Sequence, residues 1–257
     1  MPTTTERVQM VEVAIEELRA RGASPVLDWF GERDEQQRLA WLERSAQVLE
    51  ALLGGEPGRV EIPAELDGDW LAILPAAWAF TRMGHAHPAP TANGPVTTLG
   101  RGDVTVFAGP LEVHGRVKVN GMVVVVGALT IDGFLDHSTD AGGGLVVVGH
   151  ERTRAMKVGW THFVVGPFDG EVVYRSYASN TDGLFFVTGA AAVALELSDP
   201  HGNDELTITG PDGVEHPNCS PERLRALLDP PPSNVELDGR VVCDLVASNA
   251  ACVKRAR

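Results

Sequence analysis

The sequence predicts a mainly β protein: a three-sided parallel β-helix of about six rungs, with N-terminal helices packed along one face and a C-terminal cap. Three observations lead there. Glycine is abundant, 28 of 257 residues, and is concentrated between residues 100 and 213. Gly109, Gly115, Gly121, Gly127 and Gly133 recur at intervals of six. Between them Leu111, Val113, Val117, Val119, Val123, Val125, Leu129 and Ile131 alternate with other residues, the period of strands with one buried face. Six is even, so each glycine shares the phase of the apolar residues. A glycine on the inner phase suits a corner where the backbone turns and a side chain has no room.

The elements follow in chain order. Val8, Val11, Ile15 and Leu18 step by three and four, which predicts a helix over residues 5–21 ended by Gly22. Leu39, Leu42, Ala46, Leu49 and Leu53 predict a second helix over residues 33–53, stopped by Gly54 and Gly55. Both need their apolar faces covered, by a core or by a dimer seam. Prolines break residues 57–98 into short pieces, with a short helix over residues 75–83 and a linker holding His85 and His87. No third ligand accompanies these histidines, so they predict a loop pair rather than a metal site.

Within the glycine-paced segment a longer repeat is visible. Strands end at Gly109, Gly127, Gly149, Gly166, Gly189 and Gly210, about twenty residues apart, close to three hexapeptides with loops inserted over residues 136–144 and 176–183. The outward phase of the equivalent strands reads Val104 and Val106, Val124 and Val126, Val146 and Val148, Phe163 and Val165, Phe185 and Val187. A face apolar outside as well as inside exceeds what a lone solenoid leaves bare. The N-terminal helix over residues 33–53, roughly 30 Å long, matches a stack of six strands roughly 24 Å high, so the helices are expected to cover it. By contrast Glu112, His114, Arg116 and Lys118 point outward as a solvated face.

Beyond the repeat, residues 220–228 predict a capping helix with Ser220 as N-cap and Pro221 in its first turn. Residues 235–246 predict a strand pair around the Asp238-Gly239 turn, and residues 254–257 a basic tail. The organisation is therefore a helical region and linker over residues 1–95, a β-helix over 96–213 and a capping segment over 214–257.

The runs Leu111-Glu-Val-His-Gly115, Val117-Lys-Val-Asn-Gly121, Leu129-Thr-Ile-Asp-Gly133 and Leu145-Val-Val-Val-Gly149 resemble the repeats of bactofilin-type, polymer-forming bacterial β-helix proteins. The resemblance spans about residues 98–210 and implies a compact β-helix that self-assembles end to end without nucleotide. This chain adds a helical front and a rear cap to that plan, and capped ends oppose filament growth.

Charge and motifs bound the function. Lys plus Arg is 21 against 35 for Asp plus Glu, a net charge of −14, which disfavours nucleic acid and anionic membrane and suits a basic protein partner. The N-terminus lacks a secretory pattern, and the longest apolar run is too short to span a bilayer. Cys219, Cys243 and Cys252 fit no zinc or redox spacing, so reduced thiols of a cytoplasmic protein are expected. His114, His137, His150, His162, His201 and His216 are scattered, with His162 inward, unlike the seam histidines of hexapeptide acyltransferases or γ-type carbonic anhydrases. No phosphate loop or nucleophile motif is present. No catalytic, cofactor or metal residue is predicted. The expected role is protein–protein interaction, either as a scaffold or as an immunity-type inhibitor of a basic toxin. Tyr174, Arg175, Tyr177, Asn180 and Asp182 form the candidate contact loop, since interfaces favour aromatic and Arg anchors.

Overall fold

Short strands that alternate in and out, separated by glycine corners, coil into a parallel β-solenoid of about four turns. The structure is a computed structural model that describes residues 1–28, 35–55, 60–62, 70–90, 95–100, 102–137, 143–176, 184–199, 207–209, 215–216, 220–232 and 237–254. The helices ahead of the solenoid are α1 (Thr4–Ala20), α2 (Ser24–Leu27), α3 (Glu35–Gly54) and α4 (Trp70–Arg82). The strands are β1 (Val96–Leu99), β2 (Val104–Ala108), β3 (Leu111–Val119), β4 (Gly121–Val126), β5 (Leu129–His137), β6 (Gly143–Val148), β7 (Glu151–Val158), β8 (Thr161–Val165), β9 (Phe168–Ser176), β10 (Phe185–Val187), β11 (Ala191–Asp199), β12 (Thr207–Thr209) and β13 (Glu215–His216). A C-terminal segment follows: α5 (Pro221–Ala226), β14 (Leu228–Asp229), α6 (Gly239–Ala247) and β15 (Cys252–Val253).

The short strands stack in the order β10-β8-β6-β4-β2, and the long ones in the order β1-β3-β5-β7-β9-β11-β12-β13. Pairing is parallel throughout except where β12 and β13 turn back antiparallel. The sixth glycine-ended strand expected near Gly210 therefore does not add a parallel rung. Thr207–Thr209 instead pairs antiparallel with β11 in the eight-stranded sheet, which ends the parallel stacking on that side.

The strand-ending glycines form one column. A Cβ at Gly127, Gly149 or Gly166 would lie 2.3 Å from the carbonyl oxygen of the glycine one turn earlier, and one at Gly189 would lie 2.6 Å from Gly166. Backbone thus rests on backbone at that corner. Gly210 lies outside the described residues. Between the sheets Val123, Val125, Leu129, Ile131, Leu135, Leu145, Val147, Val164 and Phe168 fill the lumen.

The outer side of the five-stranded sheet is covered as expected, but by a different helix at the contact. Val104, Val106, Val124, Val146, Val148, Phe163 and Val165 share one core with α1 to α4. The helix that lies on β2 and β4 is α4, with α1 and α3 packed on it in turn. It runs from Trp70, five residues ahead of the expected start, because every described side chain from Leu71 to Phe80 outside Pro75 is apolar and buried. A helix apolar on all sides has to be sandwiched. Phe185 and Val187 are a correction. The register sets Phe186 opposite Phe163 and Val187 opposite Val164, so Phe186 and Leu184 join the outer core while Phe185 and Val187 face the lumen. Thr188 holds the last outer position before Gly189, its hydroxyl accepting from the Gly166 N–H at 3.1 Å, so Phe186 and Thr188 repeat the places that Phe163 and Val165 hold before Gly166.

Pro75 inside α4 leaves the Leu71 carbonyl without its helical donor. The Trp41 indole N–H from α3 donates to that carbonyl at 2.8 Å. Substituting Trp41→Phe strands a buried carbonyl and is expected to cost about 1–3 kcal/mol. In a Pro75→Ala background, where residue 75 regains its N–H, the cost is expected to shrink; urea unfolding of the four-member cycle measures the coupling.

The C-terminal segment also departs from expectation. Asp238 and Gly239 do not make a hairpin turn. The Asp238 carboxylate accepts from the Val241 N–H at 2.7 Å and caps α6, whose Val242, Cys243 and Val246 are buried at helical spacing. The helix α5 forms with Ser220 as its N-cap. Rather than closing an end, α6 lies along the outer side of β5, β7 and β9, on Phe134, Ala155 and Val172.

Candidate functional site

The long strands carry two outer surfaces of opposite character. Their later halves place Phe134, Ala155, Val172 and Leu195 under the C-terminal segment. Their first halves place Glu112, His114, Thr130, Asp132, Arg152, Arg154, Asp169 and Glu171 on the outer phase, and no described helix lies on them. Polar side chains on every second position need no cover, so the sequence itself decides which surface stays bare.

Parallel pairing turns these residues into ladders. One column runs Glu112, Thr130, Arg152, Asp169 and Ala192. Beside it His114 sits 3.7 Å from Asp132, while Arg154 reaches Asp132 at 4.0 Å and Glu171 at 3.5 Å. Asp169 receives His150 at 2.8 Å and Arg152 at 3.7 Å. Exposed pairs of this kind contribute about 0–1 kcal/mol each. Their consequence is an ordered array of both signs rather than stability.

A groove of about 1490 Å³ runs between this array and β14–β15, lined there by Asp229, Cys252, Val253 and Lys254. Glu171 fixes that border, since one carboxylate oxygen accepts from the Val253 N–H at 3.0 Å. Lys254 is tied down as well, through its N–H to the Leu227 carbonyl and its ammonium to the Ala226 carbonyl. The Cys252 thiol donates to the Asp229 carbonyl at 3.2 Å. Cys243 is fully buried on the inner side of α6, and burial pushes its thiol well above the ordinary range. Cys219 lies outside the described residues.

The sequence-predicted contact loop is only partly placed. The Tyr174 ring packs beneath Gly239, where a Cβ would come within 2.4 Å, and so seats the start of α6. Arg175 is paired with Glu196. Tyr177, Asn180 and Asp182 lie outside the described residues. Arg116, expected on a solvated face, instead sits over the Phe134 ring at 5.0 Å and reaches Asp136 and Asp244 at the foot of α6.

The histidines divide by location. His85 stacks on Phe80, while His87 behaves as an extra strand residue: its N–H donates to the Val106 carbonyl, and its Nδ1 accepts from the Val106 N–H at 2.9 Å. Together with the bond from the Asp103 N–H to the Val60 carbonyl, this closes the edge of β2. The linker expected there is thus an edge cover, a role invisible without knowing which strand is outermost. His162 faces inward as expected, and His137 joins it in the lumen. Among the described residues no three His, Cys, Asp or Glu side chains converge to hold a metal ion. No described helix is long and apolar enough to cross a membrane.

The chain matches no family model, no curated protein and no solved structure. The likeness to bactofilin-type proteins rests on the repeat pattern alone.

Proposed function

We propose that this chain is a non-enzymatic binding protein, a three-sided β-solenoid that engages a protein partner through the bare, charge-laddered surface of its long strands. One observation carries the reading. The apolar outer surfaces are buried under the chain's own helices, whereas the surface with Asp132, Arg152, Arg154 and Asp169 and its adjoining groove is uncovered. A net charge of −14 favours a basic partner and electrostatically steered encounter, as for an inhibitor of a basic toxin. A polymer-forming, bactofilin-like role needs free strand edges at both ends, and the His87 and Val60 bonds at β2 and the antiparallel turn to β12 oppose that.

Sedimentation velocity over a hundredfold range of concentration tests the choice. A species of constant size supports the binding reading, and growth into long polymers overturns it. With a basic partner captured from the native host, the double charge reversal Asp132→Lys/Asp169→Lys is expected to weaken the complex while leaving the melting curve in place, since surface substitutions shift stability by only about 0.5 kcal/mol. Unchanged binding would move the contact away from this surface.

A further inference from the structure

The apolar lumen is interrupted by four polar side chains that the bare surface does not use. His137, Glu151, Thr153 and His162 are all fully buried. The Thr153 hydroxyl donates to Glu151 Oε1 at 2.8 Å, and Glu151 Oε2 lies 2.8 Å from Nε2 of His162. His137 stands beside this pair, its ring centroid 5.6 Å from that of His162. Neither ring nitrogen of His137 has a hydrogen-bond partner among the described residues, and Nδ1 of His162 has none either. A neutral imidazole tolerates such a place at the cost of its unmade hydrogen bonds. An imidazolium there has two N–H donors, a full charge and no acceptor among the described residues.

The surroundings offer no relief. From β7 come Glu151, already shared by Thr153 and His162, and Val158, which is the register partner of His137. From β8 comes His162, and from β6 and β10 the apolar Leu145, Val147 and Phe185. On β9 Arg175 stands beyond Val158 in the same column, paired with Glu196 of β11. Asp136, adjacent in the chain, lies on the opposite side of the sheet within reach of Arg116 and Arg240.

We propose that His137, set against the Glu151–His162 pair, is an acid-sensitive lock on the solenoid: protonating it is incompatible with the closed lumen, so acid opens the turns built from β5 to β8. Burial, and then the neighbouring His162, hold His137 well below the ordinary imidazole value of 6.5. The sign follows. Above pH 6.5 both folded and unfolded chains keep His137 neutral and its contribution is constant. As pH falls below 6.5 only the unfolded chain takes up the proton, and the unfolding equilibrium rises about tenfold per pH unit through this one group until the lower folded value is reached.

Urea unfolding and hydrogen exchange of the full chain between pH 8 and pH 5 test this. The expected result is a stability loss beginning below pH 6.5, with protection factors, which remove the intrinsic pH dependence of exchange, falling in β5 to β8 ahead of those in α1 and α3. The His137→Leu variant is expected to bind about one proton fewer on unfolding. His87 titrates separately, at the edge of β2 rather than in the lumen. Ring-nitrogen NMR of the unsubstituted chain decides the matter even if that variant fails to fold: His137 is expected to stay neutral for as long as the lumen amides remain protected. A His137 ring that becomes charged near pH 6.5 in the folded chain, or β5 to β8 amides whose protection factors are no lower at pH 5 than at pH 8, overturns the proposal.

Discussion

Deleting residues 1–55 is expected to drive the remaining chain into aggregates, read out as light scattering and dye binding at concentrations where the full chain stays clear. The reason lies in α4. This helix is apolar around its whole circumference, and the segment removed supplies Val11, Ile15, Leu18, Trp41, Leu42, Val48, Leu49 and Leu52 to the core they share. Polar anchors go with them. Glu17 accepts from the Trp78 indole N–H at 2.7 Å, Arg21 sits 4.9 Å over the same ring, and Trp41 holds the Leu71 carbonyl. At about 1.5–3 kcal/mol per large apolar side chain, uncovering half a dozen of them matches the whole stability of a typical domain, about 5–15 kcal/mol. A truncated chain that remained clear and monomeric would mean that α4 finds another cover.

How much of this was legible in the residues depends on phase. The glycine spacing located the corner column, because Gly109, Gly127, Gly149, Gly166 and Gly189 do stack on one another. The outward Val and Phe pairs located a surface that needed covering, and the polar outer phase at Glu112 and His114 located the bare one. Phase failed where a residue slipped. Gly133 in β5 has no counterpart in β7, where the register shifts between Ile131 and Phe134, whereas Phe185 and Val187 face the lumen because the outer phase counted back from Gly189 falls on Phe186 and Thr188. That shift hides Glu151 and Thr153, which share the lumen with Met156 and Val158 although odd and even positions should face opposite ways. His137 and His162 are 25 residues apart in sequence, and only the coil brings their rings together. The groove was out of reach for a different reason: its far wall is β14–β15, whose position follows from how α6 docks on Phe134 and Tyr174.

The corner column also permits a comparison within one structural series. Gly127→Ala and Gly109→Ala make the same chemical change at the same corner, one turn apart. Both residues hold a positive φ, +145° and +83°, which an alanine resists by about 1–2 kcal/mol. Only Gly127 lies on an earlier turn: its added Cβ would meet the Gly109 carbonyl oxygen at 2.3 Å and the carbonyl carbon at 2.6 Å, whereas a Cβ at Gly109 meets nothing within 4 Å. Backbone cannot rotate aside as a flexible side chain can, so the turns must separate, adding about 1–3 kcal/mol of packing strain. Gly127→Ala is therefore expected to cost about 2–5 kcal/mol and Gly109→Ala about 1–2 kcal/mol, each eased by a few tenths through the stiffer unfolded chain. Urea unfolding of the two variants measures the difference. Equal costs would mean that the column is held by dihedral preference alone and that the contact between successive turns contributes nothing to the choice of glycine.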